Sequence, residues 1–153
     1  MLVEGNGSAG HPHYHDPREV VAIQTATPEP VPDLHTLAAT DDPLEFRELL
    51  AAELAAARAP NAKALDLLVA ASEVFENARR HGGGVSRVRA GLVDGWFACE
   101  IEDQGLGLDD PLAGYLPPGS EQARGEGLWI ARRLVRRLEL LDNTPGLTVR
   151  LWL

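Results

Sequence analysis

The sequence predicts an α+β domain in which a β-sheet carries its helices on one face. Three observations lead there. Apolar residues recur at helical spacing in two segments before residue 82 and in a third after residue 126. VSRVRAGLV and WFACEIED read as strands that meet at Asp94-Gly95, a strong hairpin signal. Two more strand-like segments close the chain on either side of DNTPG. The element order is helix, helix, strand, strand, long loop, helix, strand, strand.

Taken in order, residues 1–32 contain NGSAG, HPHYH and TPEPVP without sustained periodicity, a composition of linker rather than core. They are expected to form an arm before one domain at 33–153. VPDLHTL opens that domain as a short edge strand, its prolines lying ahead of it. Asp42 reads as an N-cap with Pro43 at the first helical position, and Leu44, Phe46, Leu49, Leu50 and Leu54 follow at helical spacing. Pro60 should stop this helix near Arg58. Asn61 is expected to cap a second helix running to His81, with Leu65, Leu68, Ala71, Phe75 and Ala78 as its inward stripe and GGG as its end.

Strands at 85–93 and 96–103 come next, the second pointing Phe97, Cys99 and Ile101 one way and Ala98, Glu100 and Glu102 the other. Residues 105–125 are rich in Gly and Pro and form a long loop, of a length usually reserved for function or disorder. GLWIARRLVRRLEL predicts a third helix with Leu128, Ala131, Leu134, Val135 and Leu138 on one side. Strands near 138–142 and 146–152 complete the chain.

At 153 residues the chain suits one domain with its own core. A formal net charge of -9 argues against a general nucleic-acid binder and leaves a nucleotide ligand open. Cys99 stands alone, so no intramolecular disulfide is possible, and a reducing, cytoplasmic setting is expected. No apolar run approaches the roughly 20 residues of a membrane span, and no signal-peptide pattern opens the sequence.

Three stretches carry candidate chemistry. In ASEVFENARRHG, Glu73, Asn77 and His81 lie four apart and share one line of the second helix. That line is either a solvated polar face or a site in which Asn supplies oxygen to Mg²⁺ and Glu orients or deprotonates a nucleophile. In DQGLG, Asp103 ends a strand and Gly105 and Gly107 follow: a plain turn, or a carboxylate for an exocyclic amine with glycines that allow close approach. In RGEGLW, Gly125 and Gly127 stand at a helix start whose free N–H groups suit phosphate oxygens, with Arg124 beside them; the alternative is an ordinary glycine-rich helix start. Walker A is absent, since no GK[ST] follows. His11, His13 and His15 alternate and, with Asp16, form either a metal-binding set or part of a flexible tail. Arg132, Arg133, Arg136 and Arg137 are either a solvated face or a dock for an acidic partner.

In this order, the three stretches make residues 33–153 resemble the histidine-kinase-like ATPase (GHKL, Bergerat-fold) superfamily, and within it the anti-sigma factor serine/threonine kinases. SEVFENARRHG resembles the N box, EDQGLG the G1 box and GEGLWIARRLV the G2 box; DPLAGYLPP is also similar to regulators of this group. The resemblance implies an α/β two-layer sandwich with a mixed, largely antiparallel sheet. It makes Glu73 the catalytic glutamate, Asn77 the Mg²⁺ ligand and Asp103 the adenine acceptor, with Gly105 and Gly107 beside the purine. Gly125, Gly127 and Leu128 fall to the phosphate-binding box with Arg124, and Thr148 to the support of Asp103. Glu76, next to Asn77, departs from the small or hydroxyl residue common there.

The function implied is an ATP- and Mg²⁺-dependent anti-sigma regulator that sequesters a sigma factor and phosphorylates a serine or threonine of an anti-anti-sigma, STAS-type partner, with homodimerisation a family expectation. No membrane and no direct nucleic-acid contact are expected. The alternatives are a nucleotide-binding regulatory module without chemistry, or the ATP-binding domain of a larger sensor regulator, as the likeness of LVEGNGSAGHPHYHDP to a post-sensor linker suggests. The proline-rich stretch before the domain carries no phosphoacceptor helix, which disfavours a complete sensor histidine kinase.

Overall fold

A computed structural model describes residues 31, 33–105, 123–142 and 146–153, of which 123–126 only as helical backbone. The arm with His11, His13, His15 and Asp16, the stretch 106–122 with Gly107, and the Arg124 side chain lie outside the described residues. The element order is β1 (His35–Thr36), α1 (Pro43–Ala56), α2 (Asn61–His81), β2 (Val85–Val93), β3 (Trp96–Asp103), α3 (Ala123–Leu134), β4 (Arg137–Asp142) and β5 (Leu147–Trp152). The strands form one sheet in the order β1-β2-β3-β5-β4, and every described pairing is antiparallel. This is the α+β architecture expected, with β1 at the sheet edge.

Helix α1 starts as the sequence implies. Asp42 accepts the Leu44 N–H at 2.9 Å and Pro43 occupies the first turn, where a missing N–H costs nothing. Phe46, Leu50 and Leu54 are buried, whereas Leu44 is exposed. Helix α2 departs from expectation at its start. Pro60 is the cap residue: its carbonyl accepts the Ala64 N–H at 2.8 Å, which makes Asn61 the first helical residue rather than the cap. The buried stripe keeps Ala71, Phe75 and Ala78 and adds Leu67, Ala70 and Val74, a run at i, i+3, i+4, i+7, i+8 and i+11. Leu65 is left 62% exposed. The Phe46 and Phe75 rings stack with centroids 4.2 Å apart and bind the two helices together.

The β2–β3 hairpin turns at Asp94 and Gly95, both with positive φ, as a tight right-twisted hairpin requires. Strand β3 alternates as read: Phe97, Cys99 and Ile101 face the helices and the main core, and Ala98 packs on the other face with Val31 and Leu34. On that outer face, cross-strand partners form a row of alternating charge, Arg89–Glu100–Arg150–Glu139, across β2, β3, β5 and β4. The contacts are 3.1 Å from Arg89 to Glu100, 2.7 Å from Glu100 to Arg150 and 3.5 Å from Arg150 to Glu139. Trp152 Nε1 donates to Glu139 at 2.6 Å.

The third helix is displaced from its expected span. It begins at Ala123 and ends at Leu134, and Leu138 belongs to β4. LVRRLELL satisfies a helical and a strand period at once. The sheet wins, since Arg136 N–H bonds the Trp152 carbonyl at 3.0 Å and Leu138, Leu140 and Leu141 are buried as β4 residues. Consequently only Arg132 and Arg133 of the four arginines are helical.

Candidate functional site

Two ends of the fold meet where β3 stops. Helix α2 finishes at His81 and its terminal carbonyls are closed by GGG: the N–H groups of both Gly82 and Gly84 bond the Ala78 carbonyl at 3.0 Å. Gly83 and Gly84 have φ of +72° and +107°, conformations that suit glycine. This turn lays Gly82 directly on Asp103. A Cβ built on Gly82 would stand 2.5 Å from Asp103 Oδ2 and 2.8 Å from its Cβ. Gly105 packs onto the same glycine, where an added Cβ would lie 3.0 Å from the Gly82 Cα. Gly146, before β5, lies against the Asp103 carbonyl so closely that no side chain fits.

Within this cradle the Asp103 carboxylate is fixed by its own loop and by β5. Oδ1 accepts the Gly105 N–H at 3.0 Å and the Leu147 N–H at 2.9 Å. Burial pushes the Asp103 carboxyl above the ordinary carboxylate value, the two backbone N–H groups pull it back in part, and the charge of Glu102 adds to the rise. With Oδ1 occupied by two donors, Oδ2 is the oxygen suited to an incoming donor such as an exocyclic amine. The aspartate of DQGLG is thus held both by its own turn and by the start of β5.

Helix α3 packs against α2 a little more than two turns before that point, at about 3.6 residues per turn. Gly127 is buried against Glu73, an added Cβ lying 3.4 Å from the Glu73 carbonyl oxygen and 3.5 Å from its Oε2. The carboxylate thus lies beside the first turns of α3. Gly125 is the third residue of that helix and Gly127 the fifth, so both are inside it rather than ahead of it. Only the first four N–H groups of a helix are free of internal partners, which includes Gly125 but not Gly127. Leu128 is buried in the core and anchors this end of α3. Asn77, one turn after Glu73, is half-buried and engaged in the fold. Glu76 is taken up by Arg79 at 2.8 Å and Arg80 at 3.5 Å, and His81 is exposed.

Thr148 is buried, engaged in the fold and paired with Glu102 across the sheet, and the backbone of its neighbour Leu147 donates to Asp103. Sequence reasoning missed three participants: Gly82, read only as a helix stop, Gly146, read as the junction of the last turn and strand, and the Leu147 N–H. Glycines at contacts with a single carboxylate are a signal that only the tertiary fold makes visible.

The structure pairs Glu73 with Gly127 and Asp103 with Gly82 and Gly105, and α2, which carries Glu73 and is capped at Gly82, has Asn77 between the two contacts. A purine amine at Asp103, phosphates near the first turn of α3 and a divalent cation at Asn77 are compatible with the donor types present, a carboxylate, helix N-terminal N–H groups and a carboxamide. Among the described residues no cluster of three or more His, Cys, Asp or Glu could hold a metal, and no helix is long and apolar enough to cross a membrane.

The family described as Histidine kinase-like ATPase domain matches residues 37–153. Among solved structures, the chain is similar to the crystal structure of the RsbU and RsbW domains of Rv1364c from Mycobacterium tuberculosis, with 28% identity and a TM-score of 0.56. That match covers 78% of this chain and 31% of the other, so the chain spans about a third of its length. No curated protein matches the sequence.

Proposed function

The chain belongs to the histidine kinase-like ATPase family, and from that premise we propose that it is an anti-sigma regulator that uses ATP and Mg²⁺ to phosphorylate a serine or threonine of a STAS-type partner. Its setting in this reading is cytoplasmic, its second partner is a sigma factor, and it acts as a homodimer. The coarser statement, an ATP-binding domain, follows from the family itself. One observation supports the kinase reading most: Glu73 keeps a half-buried carboxylate against the glycine of α3, on the helix whose C-terminal end cradles Asp103.

Asp103 Oδ2 accepts the adenine amine, and Gly105 and Gly107 let the ring approach the backbone. The N-terminal turn of α3, with Gly125 and Arg124, receives phosphate oxygens; Gly127 gives the room beside Glu73, and Leu128 holds the helix to the core. Asn77 contributes an oxygen to Mg²⁺, a metal that typically keeps phosphates and waters as its remaining ligands. Thr148 steadies the β5 segment from which the Leu147 N–H reaches Asp103. ATP supplies the γ-phosphoryl group, released from the β-phosphate oxygen and received by the partner's hydroxyl oxygen. Glu73 orients that hydroxyl and accepts its proton, an alignment task in keeping with phosphoryl transfer generally.

The test is incubation with γ-labelled ATP and the cognate partner. Transfer by the wild type that falls at least about a hundredfold in Glu73→Gln, with ATP affinity retained, is the expected result for loss of a general base. Undiminished transfer in Glu73→Gln overturns the assignment. Nucleotide binding with no transfer by the wild type makes the domain a nucleotide-responsive binding module.

A further inference from the structure

At the opposite end of the sheet from Asp103 lies a concavity with a volume of about 1150 Å³, bounded by the α1–α2 connection, the β2–β3 hairpin and the exit of α3 into β4. Its described lining includes Arg58, Lys63, Arg132, Arg133, Arg136 and Arg137, and no Asp or Glu. Six of the chain's 14 Lys and Arg therefore gather in one groove of a protein whose net charge is -9. The sequence presented four of these as a run. The fold adds Arg58 and Lys63 from the other side and separates the run into helix, bend and strand around one lining, where Arg132 reaches back to the Leu138 carbonyl at 3.3 Å and Arg133 and Arg136 stay exposed.

The aromatic residues of the groove hold some of these cations in place. The Arg136 guanidinium lies 4.1 Å from the centroid of the half-exposed Trp96 ring, and that of Arg133 lies 5.0 Å from Trp129. A guanidinium stacked on an indole keeps its donors in the plane, directed outward, where a carboxylate can take two of them. Beside them the wall is apolar, with Leu92 46% exposed at the hairpin and Pro60 opposite.

We propose that this groove docks an acidic, amphipathic segment of a protein partner, its carboxylates meeting Arg133 and Arg136 and its apolar side chains covering Trp96 and Leu92. Charge complementarity selects the occupant: Arg137 is already paired with Glu139 at 3.0 Å, but the exposed Arg133 and Arg136 have no acid beside them in the described lining, which favours an anionic occupant, and the apolar wall favours one with aliphatic side chains. A nucleic acid suits the groove less, because the chain as a whole repels a polyanion and the indole faces that bases would stack on already carry arginines. The site is separate from the nucleotide end, since β3 runs its length from Trp96 to Asp103 between the two.

Calorimetric titration of the full chain with a synthetic peptide of Glu-Glu-Leu-Leu repeats tests the proposal, with a Lys-Lys-Leu-Leu peptide and oligothymidylate as comparisons. The expected result is binding of the Glu peptide alone, weakened by added salt, and lowered about tenfold or more by the exposed double substitution Arg133→Glu with Arg136→Glu. ATP affinity in that variant should equal the wild type's, which shows that the fold is intact and keeps this test apart from the nucleotide reading. No binding of the Glu peptide, binding untouched by the double substitution, or tighter binding of oligothymidylate each overturns the proposal.

Discussion

Leu147 donates its backbone N–H to Asp103 Oδ1 at 2.9 Å, a contact between residues 44 positions apart that fastens the start of the last strand to the end of the third. The same oxygen takes the Gly105 N–H, so the orientation of the carboxylate is set by two separate chain segments before any ligand arrives. Pre-organisation of this kind lets a short carboxylate select a donor without spending binding energy on its own ordering.

Gly82→Ala should damage the nucleotide site while sparing the helix. Gly82 has φ of -99°, which alanine adopts freely, but the new methyl group falls 2.5 Å from Asp103 Oδ2. The neighbour is a short side chain on a strand, hydrogen-bonded at its other oxygen, so it has little room to retreat. ATP affinity measured by calorimetry should fall about tenfold or more, as for loss of a charge-assisted hydrogen bond of about 1.5–3 kcal/mol.

Gly127 gives the opposite expectation. A methyl group there meets Glu73 at 3.4–3.6 Å, ordinary or slightly tight contact, and alanine is the better helix former by up to about 1 kcal/mol. Thermal melting of Gly127→Ala should therefore show an unchanged or raised Tm. Gly127→Val, with two further methyl groups directed at Glu73, should reduce phosphoryl transfer more than ATP affinity.

Cys99 should be inert in the folded protein. It is wholly buried, and desolvation together with the charge of Glu100 pushes its thiol up to about 12, so the reactive thiolate is scarce at any ordinary pH. Ellman's reagent should modify it only at the rate at which the protein opens, and at once in denaturant.

The outer charge row should be costly to interrupt. Arg150 and Glu100 are both buried, and Arg150 also reaches Glu139. Removing one member leaves a buried carboxylate short of a partner, and Arg150→Met should lower the unfolding free energy in urea by about 3 kcal/mol. The exposed pair of Arg137 with Glu139 sets a contrast: Arg137→Met should cost less than about 1 kcal/mol.

How far the sequence carries this account differs by element. Helix α1, the β2–β3 hairpin and the alternation of β3 were legible because each has a local signal: a capping aspartate before proline, Asp-Gly at the turn, and a period of two. The stripe of α2 was legible at Ala71, Phe75 and Ala78 and missed Leu67, Ala70 and Val74 in favour of the exposed Leu65, because several phases of an alanine- and leucine-rich helix look apolar and packing in the core selects between them. The junction of α3 with β4 was misplaced because LVRRLELL fits both periods and hydrogen bonding to β5 decides. Glu73, Asn77 and Asp103 were singled out by residue type and spacing. Gly82 and Gly146 were not, since a glycine's role as absent bulk depends on what the fold lays against it.

The central claim is that Asp103 is the ligand-selecting carboxylate, and the fold itself supplies a clean test. Burial raises its pKa in the native state above that of the unfolded chain, so the folded protein holds the proton more tightly. Its contribution to stability is present at acid pH and is lost as pH rises through the raised native pKa, which leaves the ionised group a cost at neutral pH. Asp103→Asn removes that cost and keeps an acceptor oxygen for Gly105 and Leu147, while its amide nitrogen replaces Oδ2 and meets an amine as donor against donor. Measured side by side at neutral pH, the variant should keep or raise the Tm and lose ATP affinity about tenfold or more. ATP affinity equal to the wild type's in a folded Asp103→Asn variant would contradict the account.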